Sequence, residues 1–190
     1  MSMERYDPLP VHSREEFRQW LSEHSGTEAE CWVHVVKGEP SDEEHLWYLD
    51  AVEEALCFGW IDSTFIGSEN LQRFSPRQKY SPWTELNKER VRRLEKLGRM
   101  TDAGRAVLPP MGPRSFRIDG DVKDALIRAR AWSAFRRFPP LYQRVRAYNV
   151  AFLKKRDPEG YEKALERLIR ETRAGRMYGS WNDYGRLLDY

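Results

Sequence analysis

The sequence predicts an α+β protein, with a small β-sheet and helices in its N-terminal half and a helical C-terminal half. Three observations lead there. Short β-branched and aromatic runs occur only before residue 77. Amphipathic helical spacing occurs on both sides of them. A cluster of three prolines and a glycine, "PPMGPRS" at 109–115, interrupts the chain, and every later pattern is helical.

The elements follow in order. "SREEF" sets Ser13 as an N-cap with Glu16 three residues on, a capping box, and Phe17, Trp20 and Leu21 recur at helical spacing behind it. "ECWVHVV" reads as a buried strand, and "KGEPS" as the turn after it. "LWYLDAVEEALCFG" is a second helix, with its start expected at Asp50 and its end at Gly59, where a positive φ suits glycine. "WIDSTFIG" and "LQRFSP" are two short extended segments around "SEN". "SPWTELNKERVRRLEKLG" is a third helix capped by Thr84 and closed by Gly98, and "TDAGRAVL" a short one capped by Thr101.

Beyond the break, "DVKDALIRARAWSAFRRF" has a helical pattern. Another helix opens at Pro139–Pro140, with Leu141, Val145, Tyr148 and Phe152 as its buried stripe. Asp157–Pro158 starts the last helix, which carries Tyr161, Leu165, Leu168 and Ile169 and closes at Gly175. Residues 177–190 hold four aromatics and two adjacent leucines, enough apolar surface to dock on the body or on a partner protomer. Trp181 and Leu187 are the expected anchors. The expected organisation is an α+β subdomain over 1–108, a linker at 109–115, a helical subdomain over 116–176 and the aromatic tail at 177–190.

With 40% apolar and 33% charged residues, the chain has the composition of a globular protein with a charged surface. No apolar h-region opens it, and no run is long enough for a membrane span, so no leader and no membrane insertion are expected. Cys31 and Cys57 do not form a disulfide framework; both read as reduced thiols of a cytoplasmic protein. The net charge of +2 conceals an asymmetry. Residues 1–70 hold four Lys/Arg against sixteen Asp/Glu, a balance of −12, whereas residues 76–156 hold twenty-one against seven, a balance of +14. Either the opposite charges satisfy one another within the chain, or the basic part faces an anionic partner.

The densest chemistry lies between residues 57 and 90. Trp60 and Asp62 follow a helix end. Arg73, Arg77, Ser81, Trp83, Asn87 and Arg90 follow downstream. Guanidinium forks suit carboxylate or phosphate, the tryptophans offer flat apolar walls, and the helix N-terminus at Thr84 adds free N–H groups. Together these eight residues make a candidate anion-accepting pocket. A purely structural account is as simple: Asp62 pairs with an arginine and the tryptophans fill the core. Cys57, at a helix C-terminus, is expected to be a buried, unreactive thiol. The four histidines lack paired metal-ligand spacing, and the phosphate-loop, dinucleotide and hydrolase-elbow signatures are absent from the sequence. No metal and no cofactor are expected.

"AVEEALCFGWIDS", followed by "QRFSPRQKYSPWTELNKERVRRLEKLGRMTDAG", closely resembles the YdeI/OmpD-associated, or bacteriocin-protection, family. "DVKDALIRARAWSAFRRFPPLYQRV" resembles its helical portion. The matching positions are Gly59, Trp60, Asp62, Arg73, Phe74, Pro76, Arg77, Ser81, Trp83, Asn87, Arg90, Gly98, Arg99 and Met100. The resemblance implies a small bacterial α+β protein associated with protection against bacteriocins or antimicrobial peptides. The C-terminus departs from it, running into the aromatic tail. The expectation is a binding or stress-protection protein with a small anionic ligand and a homodimer as potential partners. The alternative is an enzyme acting on a small anionic or nucleotide-like substrate. Nucleic-acid binding, the third class, rests on the basic middle segment alone and is not expected, since the aromatics there fall on the helical core stripe.

Overall fold

The computed structural model describes residues 6–190. Residues 1–5, where the expected first subdomain begins, lie outside the described residues. The chain divides into two units. One comprises the residues up to Pro82 together with Arg90–Pro109 and Tyr190; the other comprises Trp83–Glu89 and Pro110–Asp189.

The first unit is α+β. Helix α1 (Arg14–His24) opens with the full capping box between Ser13 and Glu16. Strand β1 (Cys31–His34) follows, then α2 (Tyr48–Cys57), and β2 (Trp60–Ile66) and β3 (Leu71–Pro76) form a hairpin. The sheet is antiparallel throughout, in the order β1-β3-β2. Its register places Cys31 and Asp62 on either side of Phe74, and an irregularity between Asp62 and Phe65 shifts β2 against β3. The core lies between the sheet and the two helices. Phe17, Leu21, Val33, Leu56, Trp60, Leu71 and Phe74 are all buried, and the Phe17 and Phe74 rings meet at 5.4 Å. Each such side chain contributes about 1.5–3 kcal/mol on burial.

Helix α2 begins two residues before the expected Asp50, with Trp47 at the cap position. The Tyr48 N–H donates to Val36 O at 2.8 Å, so pairing with Val36, two residues beyond β1, sets the start. Asp50 is drawn away from capping by Arg14, 2.8 Å from its carboxylate. The helix closes on Gly59 at φ +76°. Helices α3 (Glu85–Lys96) and α4 (Asp102–Ala106) complete this stretch of chain, with Thr84 accepting from the Asn87 N–H and Thr101 from the Gly104 N–H. The division between the units falls inside α3.

The second unit is helical: α5 (Gly120–Arg128), α6 (Trp132–Phe135), α7 (Pro140–Leu153) and α8 (Pro158–Arg173). The pattern over 121–138 is split because Arg130 adopts φ +55° and the Ala131 N–H closes back on Leu126 O at 2.8 Å. The buried face of α7 is Leu141, Tyr142, Val145, Arg146, Ala147 and Val150. Tyr148 and Phe152, expected on that stripe, are only half-buried, and the Arg156 guanidinium covers the Phe152 ring at 4.1 Å. Trp181 and Leu187 of the tail are buried in this unit's core, Trp181 meeting Tyr142 edge-on at 5.5 Å. No helix among the described residues is long and apolar enough to cross a membrane.

Candidate functional site

The residues of the 57–90 stretch go to several places. Trp60 is core: 1% exposed, it donates its indole N–H to Ser25 O at 3.1 Å and meets Trp20 edge-on. Asp62 lies opposite Phe74 in the sheet, so its neighbour Arg73 projects from the other face. The Asp62 carboxylate accepts the Tyr48 hydroxyl at 2.7 Å. Arg73 donates to Glu30 at 2.9 Å and to the Ser63 hydroxyl at 3.2 Å. Arg77 is buried and donates to the carbonyl of Pro82, while its backbone N–H binds Gly59 O. Ser81 lies in the turn closed on Gln78 O. Arg90 is buried in the first unit, whereas Trp83 and Asn87 belong to the second. Among the described residues the Asp62 hydrogen bond goes to a tyrosine, not to an arginine of this stretch.

Other arginines gather instead around three carboxylates of α2 whose ion pairing sequence reasoning did not foresee. Asp50, Glu53 and Glu54 are buried. Arg14 reaches all three, at 2.8, 3.0 and 2.6 Å. Arg18 binds Glu54 at 2.6 Å, Arg93 binds Glu53 at 2.8 Å, and Arg99 binds Glu54 at 2.8 Å. The sequence signal was present: a Glu-Glu pair inside an otherwise apolar helix requires cations, and Arg14 and Arg18 at i,i+4 share one face of α1. Cys57, one turn on, is fully buried; burial foremost, with Glu54 adding, pushes its thiol up to about 12. Gly104 is required beside it, because a methyl group there would overlap the Cys57 carbonyl.

Two open clefts of the first unit have acidic walls. One, of about 480 Å³, is lined by His12, His34, His45, Glu44 and Glu69 with apolar Val36 and Leu46. His34 Nδ1 lies 3.1 Å from Glu69 O, and His45 Nδ1 lies 2.9 Å from Asp42. The other, of about 450 Å³, is lined by Asp7, Glu28, Glu30, Trp20, His24 and Trp32. Nearby in sequence, Lys37 Nζ sits 3.3 Å from the Tyr48 ring centroid and 3.9 Å from that of Phe65. Burial lowers the pKa of this ammonium, and the Asp62 charge opposes that shift. Two ring faces backed by a carboxylate form a setting that favours a cation. Among the described residues no three His, Cys, Asp or Glu side chains converge as metal ligands.

This geometry defines an α+β domain in which four arginines are committed to the buried carboxylates of α2 and whose clefts carry carboxylates on their walls. The family model of a domain of unknown function, DUF8412, matches residues 9–107, and the chain belongs to that family. No curated protein and no solved structure matches it.

Proposed function

We propose that this is a binding protein of the protective kind implied by its resemblance to the bacteriocin-protection family, and that its first unit captures a cationic peptide. The observation that carries the reading is how the unit's charges are distributed. Arg14, Arg18, Arg93 and Arg99 are held by the buried carboxylates of α2, while Glu28, Glu39, Glu43, Glu44 and Glu69 remain exposed. Glu44 and Glu69 line one cleft beside Val36 and Leu46, and Glu28 lines the other beside Trp20 and Trp32, a combination suited to a peptide carrying both Lys/Arg and apolar side chains. A cytoplasmic location belongs to the same proposal, supported by the two free, buried thiols.

The test is fluorescence anisotropy with a labelled peptide of alternating Lys and Leu, beside its Glu/Leu counterpart. The Lys/Leu peptide should bind, and binding should weaken with salt as exposed charges are screened. The Glu28→Lys/Glu44→Lys/Glu69→Lys variant, altered only at exposed positions that line the clefts, should bind at least about tenfold more weakly, a difference of about 1.4 kcal/mol. Equal binding of the two peptides, or of variant and parent, would overturn the reading.

A further inference from the structure

The helical unit holds a cleft of about 290 Å³ between α7, α8 and the start of the tail. Arg146 and Asn149 line it from α7, Lys163 and Arg167 from α8, and Tyr178 from the tail. Among the described residues no Asp or Glu lines it. Arg146 is only 8% exposed. It donates to Ser180 O at 2.6 Å, and its buried Nε finds no hydrogen-bond partner among the described residues. Among the described residues no carboxylate lies within ion-pair distance of it, an expensive state for a buried charge. Arg167 has its guanidinium 4.4 Å from the Tyr178 ring centroid, and that of Arg146 lies 5.2 Å from the same centroid.

The fold holds this arrangement in place. Gly179, at φ +67°, lets the tail backbone pass the Arg146 guanidinium; a Cβ there would come within 2.7 Å of Nη1. Lys163 is paired with Glu159 one turn back. The acidic group whose charge reaches Tyr178 is Glu171, which is held by Arg170 and Arg176. Two guanidinium groups over one aromatic ring, one of them buried without a counter-ion, form a setting suited to an anion.

We propose that this cleft binds a phosphate group. Guanidinium forks match tetrahedral phosphate oxygens, and the Asn149 amide supplies a neutral donor on the same wall. The volume of about 290 Å³ lies at the lower limit of small-molecule sites, which suits inorganic phosphate or the phosphate end of a small ester. The inference is independent of the peptide reading, since it concerns the other unit and a ligand of opposite charge.

Isothermal titration and thermal melting of the full chain with inorganic phosphate, against chloride at matched ionic strength, test it. Phosphate should raise the melting temperature beyond the chloride control. Arg167→Gln, at an exposed position, should leave the ligand-free melt unchanged and weaken phosphate binding at least tenfold. Glycerol phosphate and phosphatidic acid vesicles separate the sources of the group: preference for either still supports the site and names the carrier. The proposal is overturned if none of the three probes binds better than chloride, or if Arg167→Gln binds phosphate as the parent does.

Discussion

Glu54 accepts three guanidinium groups inside α2, from Arg14 at 2.6 Å, Arg18 at 2.6 Å and Arg99 at 2.8 Å. Removing its charge while keeping its shape leaves three cations facing a neutral amide. Glu54→Gln should therefore cost about 3–5 kcal/mol, read as a lower urea midpoint. Replacing an exposed partner of a surface pair, as in Lys163→Ala, should change little. The thiols make a second prediction. Cys31 and Cys57 are both pushed up to about 12, by burial first, whereas an unfolded cysteine ionises near about 8.5. Below the unfolded value both states hold the proton, and this contribution to stability is fully present. Between about pH 8.5 and 12 the unfolded state has released protons that the native state keeps, so stability falls as pH rises. Urea midpoints should decline across that window, less steeply for Cys57→Ala measured against its own value at pH 7. Native thiol labelling at pH 8 should be slow. The helix position of Cys57 was legible in "ALCFG"; the arginine within reach of it was not, because Arg18 lies 39 positions earlier.

Local signals set the helix boundaries except where a distant group competes for the same side chain. The Ser13 capping box forms as its spacing dictates, and Ser13→Ala should cost about 1 kcal/mol of stability. The start of α2 is different. Asp50 has the chemistry of an N-cap, yet Arg14 takes its carboxylate and Val36 fixes the backbone two residues earlier. The α5–α6 break is different again. Nothing in "IRARAW" announces a stop, and an arginine takes the left-handed conformation usually left to glycine. Arg130→Gly should relieve that strain and raise stability by about 0.5–1 kcal/mol, visible as a higher melting temperature with an unchanged circular dichroism spectrum.

The tail is the part of the chain that most changes the account of the molecule. It contributes Trp181 and Leu187 to the helical core, Tyr178 to the proposed phosphate cleft, Gly179 as backbone beside the Arg146 guanidinium, and Ser180 O as an acceptor for Arg146. Trp181→Ala should cost about 3–5 kcal/mol as a buried large-to-small change. Deleting residues 177–190 should lower the melting temperature and abolish phosphate binding together. If only the melting temperature fell, the tail would hold the core without shaping the cleft.

The α+β class, the helical second half, the order of elements and most caps could be read directly, because hydrophobic period and cap chemistry act within a few residues of one another. The candidate pocket could not be read to the same depth. Asp62 and Arg73 are close in sequence and on neighbouring strands, but strand alternation sends them to opposite faces of the sheet. Which arginine meets which carboxylate depends on pairs separated by 36 to 45 positions, as Arg14 with Asp50 and Glu54 with Arg99 demonstrate. The buried face of α7 turned by about one residue from its expected stripe because Tyr142 and Arg146 face the tail, 30 to 40 positions away. Periodicity gives the existence of a face; the partner that covers it, and hence where a charge is neutralised or left open, is fixed only when the chain has folded back on itself.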